Sequence, residues 1–156
     1  MEIRPAVPAD RDAIARVVTS DTTFKPDEVA IAIELVDDSF AGDVDYRVRV
    51  AEDGAGGPVV GYLCYGPTPM TAATYDLYWI VVDATVRGRG IARALIEGME
   101  DELRAAGGGH IRVETSETEG YGAARTLYER TGYPEVARMR DFYGPGDALI
   151  VYYKIL

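Results

Sequence analysis

A short glycine-rich turn, Arg87-x-x-Gly90-x-Ala92, has the residue types and spacing most suited to chemistry. It follows an apolar stretch that is typical of a strand and precedes a stretch with helical periodicity. The first backbone N–H groups of a helix lack partners and carry positive partial charge, so phosphates bind there readily. Gly88 and Gly90 let the backbone approach a ligand closely, and Arg89 adds charge. The pattern favours a pyrophosphate site, and equally a plain tight turn with surface arginines.

Other phosphate and metal sites do not match the sequence. A P-loop ends in Gly-Lys-Ser or Gly-Lys-Thr, which this turn lacks, and the dinucleotide fingerprint needs three glycines in an early βαβ unit. The single cysteine, Cys64, and the single histidine, His110, exclude an intrachain disulfide and a two-histidine metal site. We therefore expect no metal, with Cys64 as a small core residue and His110 at the surface.

The elements that position the turn follow from hydrophobic periodicity, which predicts the order β-α-α-β-β-β-α-β-α-β-β over one domain, residues 1–156. The strand at 74–82 is apolar on both faces, which is typical of a central strand. The helix that begins near Ile91 ends before three glycines, 107–109. A later helix is predicted over 119–131. Two strands follow it and are separated by a Gly-Pro-Gly turn at 144–146.

Composition restricts the partners. The chain has 156 residues, 16 Lys and Arg, and 26 Asp and Glu, which gives a formal net charge of −10. Such a field repels nucleic acids and anionic membrane surfaces. No apolar run has the length of a signal peptide or a spanning helix, and with one cysteine a reducing cytoplasm is the expected location.

The glycine-rich turn and the order of the predicted elements together resemble the GNAT superfamily of acetyl-CoA-dependent N-acetyltransferases. The family signature, Arg or Gln, two residues, Gly, one residue, then Gly or Ala, matches Arg87, Gly90 and Ala92. A second block, 124–133, is similar to the family helix that ends Leu-Tyr-Glu-Lys-x-Gly-Phe. The resemblance implies a mixed α/β fold with a central sheet of six to seven strands and about four helices. It also implies direct acetyl transfer from acetyl-CoA to an amine, without metal.

The resemblance places the coenzyme pyrophosphate on the turn and the pantetheine arm along the fourth strand, where that strand separates from the fifth. The thioester carbonyl would meet a backbone N–H near Val81 or Val82. Tyr121 stands where many relatives have an asparagine that contacts the arm, and it could stack on the arm, wall the acceptor pocket or cap a helix. The implied coenzyme-binding residues are Ile80, Val81, Val82, Arg87, Gly88, Arg89, Gly90, Ile91, Ala92, Tyr121, Ala124 and Tyr128.

Tyr128 matches the family tyrosine that faces the coenzyme sulfur, which implies a general acid for the leaving thiolate. A phenol of pKa about 10 keeps its proton at neutral pH. The residues Ala124, Leu127, Tyr128 and Thr131 also form one helical face, which is equally typical of core packing.

Two carboxylates are alternatives for the base that removes a proton from the amine. Asp76 is the first choice, because it lies eleven positions before Arg87, where histone acetyltransferases of the superfamily carry a catalytic glutamate. Glu114 on the next strand is the second, a water chain is the third, and each carboxylate could instead form an ion pair. Strict alternation places Asp76, Tyr78 and Ile80 on one face of their strand.

The acceptor has no sequence signature. Eleven tyrosines against three phenylalanines indicate a polar pocket, for which Tyr65, Tyr78 and Tyr143 are the predicted lining residues. Overall acidity favours a cationic amine on a small molecule or a peptide. The alternative function is a non-catalytic acyl-CoA sensor or interaction module. A homodimer that pairs through the final strand, 149–153, is one alternative for the assembly.

Overall fold

The computed structural model describes residues 1–156, and its elements follow the predicted order. Short 3₁₀ turns lie at Pro8–Asp10, Ala84–Val86 and Glu119–Tyr121, and the last of these replaces the predicted first turn of the final helix. The main elements are β1 (Glu2–Pro5), α1 (Arg11–Ser20), α2 (Pro26–Phe40), β2 (Arg47–Glu52), β3 (Val59–Pro67), β4 (Thr74–Val82), α3 (Ile91–Ala105), β5 (His110–Ser116), α4 (Gly122–Arg130), β6 (Glu135–Gly144) and β7 (Asp147–Ile155).

All seven strands form one sheet in the order β1-β2-β3-β4-β5-β7-β6, which confirms the predicted mixed α/β class. Only β4 and β5 are parallel. Their pairing runs from Thr74–His110 to Leu77–Val113, although β4 continues for five more residues, to Val82. The two strands therefore separate beyond Leu77 and leave a gap in the middle of the sheet.

A β-bulge at Tyr78 changes which residues of β4 share a face. Against β3, Cys64 pairs with Trp79 and Tyr65 pairs with Leu77, so Tyr78 has no partner. The extra residue shifts the alternation by one position. Leu77 and Ile80 both pack on the core beside α3, whereas Trp79 packs on the core beside α1 and α2. The prediction that Ile80 shares a face with Asp76 is therefore wrong.

Helices cover both faces of the sheet. Sixteen buried residues form the core on the side of α3 and α4, and eleven form the core on the side of α1 and α2. The apolar residues Leu95, Met99 and Leu103 repeat every four positions along α3 and are fully buried. Complete burial of each such side chain contributes about 1.5–3 kcal/mol, so α3 holds the glycine-rich turn at its N-terminus in a fixed place.

Helix α2 continues through acidic residues at its C-terminal end, although acids are unfavourable at that end of a helix. The helix continues to Phe40, and Arg11 of α1 donates to Asp37 with Nε–Oδ1 at 2.6 Å. This contact joins α1 to α2. No helix in the chain combines the length and apolar character needed to cross a bilayer.

The final strand does not offer an edge to a second subunit. β7 lies between β5 and β6 and pairs with both, from His110–Ile155 on one side and from Glu135–Tyr152 on the other. The prediction of a homodimer through residues 149–153 is therefore wrong, because the backbone groups of an inner strand are already used. The free edges of the sheet belong to β1 and β6.

Candidate active site

A cleft of about 690 Å³ opens where β4 separates from β5. The C-terminal half of β4 forms its floor, and the N-terminal ends of α3 and α4 form its walls. All the predicted coenzyme-binding residues line it except Tyr128. The lining residues are Asp21, Thr23, Phe24, Ile80, Val81, Val82, Val86, Arg87, Gly88, Arg89, Gly90, Ile91, Ala92, Arg93, Gly120, Tyr121, Gly122, Ala123, Ala124, Thr126, Leu127, Arg130 and Thr131.

The glycine-rich turn has a backbone conformation that requires glycine. Gly88 and Gly90 have φ angles of +81° and +78°, and a β-carbon added at either would meet no heavy atom within 4 Å. Glycine is therefore needed for the left-handed backbone and not for want of space. The N–H groups from Gly90 to Arg93 donate no hydrogen bond to the backbone. The start of α3 thus presents free donors to the cleft.

The two arginines of the turn are already paired with acids. Arg87 donates to Asp21 with Nη2–Oδ2 at 2.7 Å, and Arg89 donates to both carboxylate oxygens of Asp53 at 2.7 and 3.0 Å. The hydrogen bond from Arg89 lowers the pKa of Asp53. An anion in the cleft would therefore compete with two aspartates for these side chains.

The face of α4 that lines the cleft is largely the face that periodicity predicted. Ala124, Leu127 and Thr131 line it, and only Tyr128 of the predicted face is packed in the core instead. Thr126 and Arg130 also line the cleft. Arg130 was not among the predicted site residues, and its i, i+4 relation to Thr126 was the signal that could have identified it.

Successive N–H groups of β4 point to opposite sides of the strand, so only some of them face the gap. The N–H of Asp83 donates to the carbonyl of Val60 on β3 at 2.9 Å. With a period of two, the N–H of Val81 also points to β3, and the N–H of Val82 points away from it. Of the two predicted donors near the thioester, Val82 has its N–H on the side of the gap.

Tyr128 is 5% exposed and lies in the main core. Its ring centroid is 5.5 Å from that of Tyr152 and 6.2 Å from that of Tyr133. Burial raises the pKa of the phenol above its usual value, and the charge of Tyr152 adds to this. The side chain has the packing of a core residue and keeps its proton throughout the neutral pH range.

Tyr121 connects α4 to α2 across the cleft. It lies between Gly120 and Gly122, and its hydroxyl donates to Oε1 of Glu28 at 3.3 Å. Burial raises the pKa of Tyr121 to about 12. Its side chain makes no capping hydrogen bond to α4, so of the three predicted roles the geometry favours a wall of the cleft.

A second cavity, of about 230 Å³, lies further back along β4. It brings together both candidate bases and two of the three predicted acceptor tyrosines. Tyr65 is not among them, because it is fully buried in the core and its hydroxyl has no hydrogen-bond partner. The lining residues are Asp76, Leu77, Tyr78, Arg112, Glu114 and Tyr143.

The two carboxylates of this cavity have different surroundings. Asp76 is 9% exposed and accepts from Arg112 Nε at Oδ1 and from Thr68 at Oδ2, each at 2.7 Å. Glu114 has a side chain 46% exposed, and its Oε1 lies 3.9 Å from Nη1 of Arg112, beyond hydrogen-bond distance. Glu114 therefore has free oxygens directed at the cavity, whereas both oxygens of Asp76 are occupied.

Two phenols complete the cavity. Burial, followed by the charge of Asp76, raises the pKa of Tyr78 to about 12, and burial followed by the charge of Glu114 raises the pKa of Tyr143. The ring of Tyr78 packs edge-on against Tyr46, 5.5 Å between centroids. Both hydroxyls thus remain hydrogen-bond donors at neutral pH.

With this geometry in place, the comparisons with known proteins decide the family. Residues 44–135 match the acetyltransferase (GNAT) domain family. The chain belongs to the GNAT acetyltransferase family. A solved structure of a GNAT-family protein from Desulfovibrio desulfuricans is 37% identical, covers 99% of this chain and 98% of its own, and superposes with a TM-score of 0.92. The expected acyltransferase class is thereby confirmed.

More distant GNAT structures share the fold with this chain. An aminoglycoside 6'-N-acetyltransferase complexed with coenzyme A is 17% identical over 99% of this chain and 97% of its own, with a TM-score of 0.76. A ribosomal-protein-alanine N-acetyltransferase from Brucella melitensis is 24% identical over 100% of both chains, with a TM-score of 0.75.

A curated relative matches part of this GNAT chain. It is the mycothiol acetyltransferase of Beutenbergia cavernae, which is 42% identical over 67 residues. That match covers 42% of this chain and 22% of the relative, so the chain corresponds to only about a fifth of that protein's length.

Proposed function

We propose that this GNAT protein transfers the acetyl group of acetyl-CoA to a primary amine. The observation that carries the proposal is the joint arrangement of the two cavities on β4. The larger one offers free helix N–H groups at a turn that requires glycine, and the smaller one offers a carboxylate that accepts no hydrogen bond, that of Glu114. Between them lies the gap between β4 and β5.

The residues of the larger cleft fit a coenzyme A ester. Its N–H groups at the start of α3 suit a pyrophosphate, and its volume of about 690 Å³ suits a cofactor-sized ligand. When bound there, acetyl-CoA supplies an activated acetyl group. The N–H of Val82 lies on the side of the gap and would stabilise negative charge on the thioester oxygen, an effect worth a few kcal/mol.

Glu114 is the proposed base. A free alkylamine has a pKa of about 10 and is mostly protonated at neutral pH, so a carboxylate that both binds the ammonium and accepts a proton is needed. The oxygens of Glu114 are free, and those of Asp76 are held by Arg112 and Thr68. Asp76, the first choice from the sequence, then positions Arg112 and does not itself accept the proton.

Tyr128 is the proposed acid for the leaving thiolate. Burial raises the pKa of the phenol, so Tyr128 is protonated at neutral pH and can donate a hydrogen bond to the leaving thiolate. Its hydroxyl forms no hydrogen bond within the protein, and the neighbouring Leu127 lines the cleft. Tyr128 itself does not line the cleft, and this is the observation that favours a non-catalytic module as the second candidate function.

The test is release of thiol from acetyl-CoA in the presence of polyamines, amino acids, aminoglycosides and peptides with free N-termini. Catalysis predicts amine-dependent release, which Glu114→Gln lowers at least tenfold and Asp76→Asn lowers less. Tight coenzyme binding with no release from any acceptor would show the non-catalytic module. A larger loss in Asp76→Asn than in Glu114→Gln would return the role of base to Asp76.

A further inference from the structure

The smaller cavity holds more hydrogen-bond donors than a simple amine can use. A protonated amine is a donor only and needs acceptors around it. Besides the carboxylate of Glu114, the cavity presents the guanidinium of Arg112 and the hydroxyls of Tyr78 and Tyr143. These three groups can bind only a ligand that also carries acceptor oxygens.

Arg112 is held in place and is still available to a ligand. Its Nε donates to Oδ1 of Asp76 at 2.7 Å, which fixes the plane of the guanidinium. Its side chain is 39% exposed, and Nη1 approaches Glu114 only to 3.9 Å. The two terminal nitrogens make no hydrogen bond within the protein, so the end of the fork is free for bidentate binding of a carboxylate.

The charges of the cavity argue against a polyamine. Arg112 neutralises Asp76, which leaves Glu114 as the single carboxylate free to bind an ammonium. A second ammonium of a polyamine would find no free carboxylate in this cavity. One ammonium and one carboxylate on the same ligand would match one free acid and one available guanidinium.

The spacing of these groups limits the ligand. Oε1 of Glu114 and Nη1 of Arg112 are 3.9 Å apart, so an amine and a carboxylate separated by one or two carbon atoms fit both groups at once. The volume of about 230 Å³ is below the usual range for drug-sized ligands, which indicates a small acceptor.

From these contacts we propose that the acceptor is a small amino acid, with its amine at Glu114 and its carboxylate at Arg112. The proposal rests on the proposed acetyl transfer and names the substrate class for it. The hydroxyls of Tyr78 and Tyr143 donate hydrogen bonds to the lone pairs of the carboxylate oxygens that Arg112 does not use. Arg112 thus determines specificity and takes no part in proton transfer.

The experiment compares acceptors that differ only in the carboxylate. Each common L-amino acid is assayed beside its amide and beside the amine that lacks the carboxylate, and glycine, β-alanine and γ-aminobutyrate test the spacing. At least one free amino acid should exceed its matched amine in kcat/KM by about tenfold or more. Activity should fall from the α- to the γ-amino acid.

Variants of Arg112 test its role separately from folding. Arg112→Gln should remove the preference for the carboxylate, mainly through KM, so that kcat/KM with a free amino acid falls to the value with its matched amine. That residual activity also reports that the variant is folded. Arg112→Lys should restore part of the preference, because it keeps the charge without the fork. Arg138→Gln, an exposed arginine of β6 outside both cavities, is the matched control and should behave as wild type.

Each outcome has a distinct meaning. Amine-dependent release without preference for the carboxylate would overturn the amino acid proposal and leave acetyl transfer intact. A preference that survives in Arg112→Gln would overturn the role of Arg112. Absence of release with every acceptor, while coenzyme A binds, would overturn the proposed function itself.

Discussion

Replacement of Gly90 by alanine tests whether the turn needs glycine for the stability of the fold or for the binding of coenzyme A. Gly90 has φ = +78°, and an added β-carbon would meet no heavy atom within 4 Å. The variant therefore introduces no clash, only the strain of a left-handed alanine, which is about 1–2 kcal/mol. For a domain of this size each kcal/mol lowers Tm by roughly 2–4 °C, so we expect a loss of a few degrees.

Gly42→Ala is a matched control, because Gly42 has φ = +96°, follows α2, and also has open space at its β-carbon. It lies outside both cavities. Both variants should lose similar amounts of stability in denaturant unfolding. Only Gly90→Ala should also weaken the binding of coenzyme A, by about tenfold or more in Kd, which corresponds to about 1.4 kcal/mol.

The assay is titration calorimetry with coenzyme A on both variants below their melting temperatures. Equal affinities for Gly90→Ala and Gly42→Ala would refute the argument that the N–H groups beside Gly90 hold the coenzyme. A much larger loss of stability in Gly90→Ala would instead mean that the turn supports the fold more than the ligand.

Three further changes give measurable results. Tyr128→Phe should lower kcat more than tenfold and leave Tm and coenzyme affinity unchanged, because the hydroxyl makes no hydrogen bond within the protein that could be lost. Arg130→Gln should weaken the binding of coenzyme A severalfold at low salt and less at high salt. Salt screens the attraction between an arginine of the cleft and the phosphates of the coenzyme. Arg4 lowers the pKa of Asp10 and of Glu52 by hydrogen bonding, so Arg4→Gln should lower Tm at pH 7, and the difference from wild type should shrink below about pH 4.

The sign of the last effect follows from the direction of the shifts. A carboxyl whose pKa is lower in the folded state stabilises the protein fully above its unfolded pKa and loses that contribution as the pH falls through the folded pKa. A difference in Tm that stays constant between pH 7 and pH 3 would contradict this reasoning. Unchanged kcat in Tyr128→Phe would remove the acid role. For Arg130→Gln, an affinity equal to that of Arg138→Gln would show that Arg130 does not contact the coenzyme.

Local patterns were sufficient to predict the element order, and the resemblance to the GNAT family supplied the residues expected at the coenzyme, all of which except Tyr128 line the larger cleft. The glycine turn and the helix that follows it are contiguous, so their periodicity and residue types describe one local unit, from Arg87 to Leu103. The same holds for β4, whose predicted bounds of 74–82 agree with the structure. The face of α4 was less well predicted, because its periodicity places Tyr128 and Leu127 side by side and only packing decides which of them meets the cleft.

Contacts between distant parts of the chain could not be predicted. Asp21 pairs with Arg87 from 66 residues away, and Glu28 accepts from Tyr121 across 93 residues. The occupied state of Asp76 depends on Arg112 and Thr68, which belong to two other segments. The resemblance ranked Asp76 above Glu114 by its offset from Arg87, and the sequence contained no information on which carboxylate was already paired.

The bulge at Tyr78 also adds a residue to β4 without turning the strand over. Asp76 stands before the bulge and lines the smaller cavity, and Ile80 and Val82 stand after it and line the larger cleft. Because Leu77 and Trp79 already pair with the adjacent residues Tyr65 and Cys64, deletion of Tyr78 would restore strict alternation and leave the other side chains of β4 on their present faces. The extra position in the strand is therefore what places the side chain of Tyr78 in the smaller cavity.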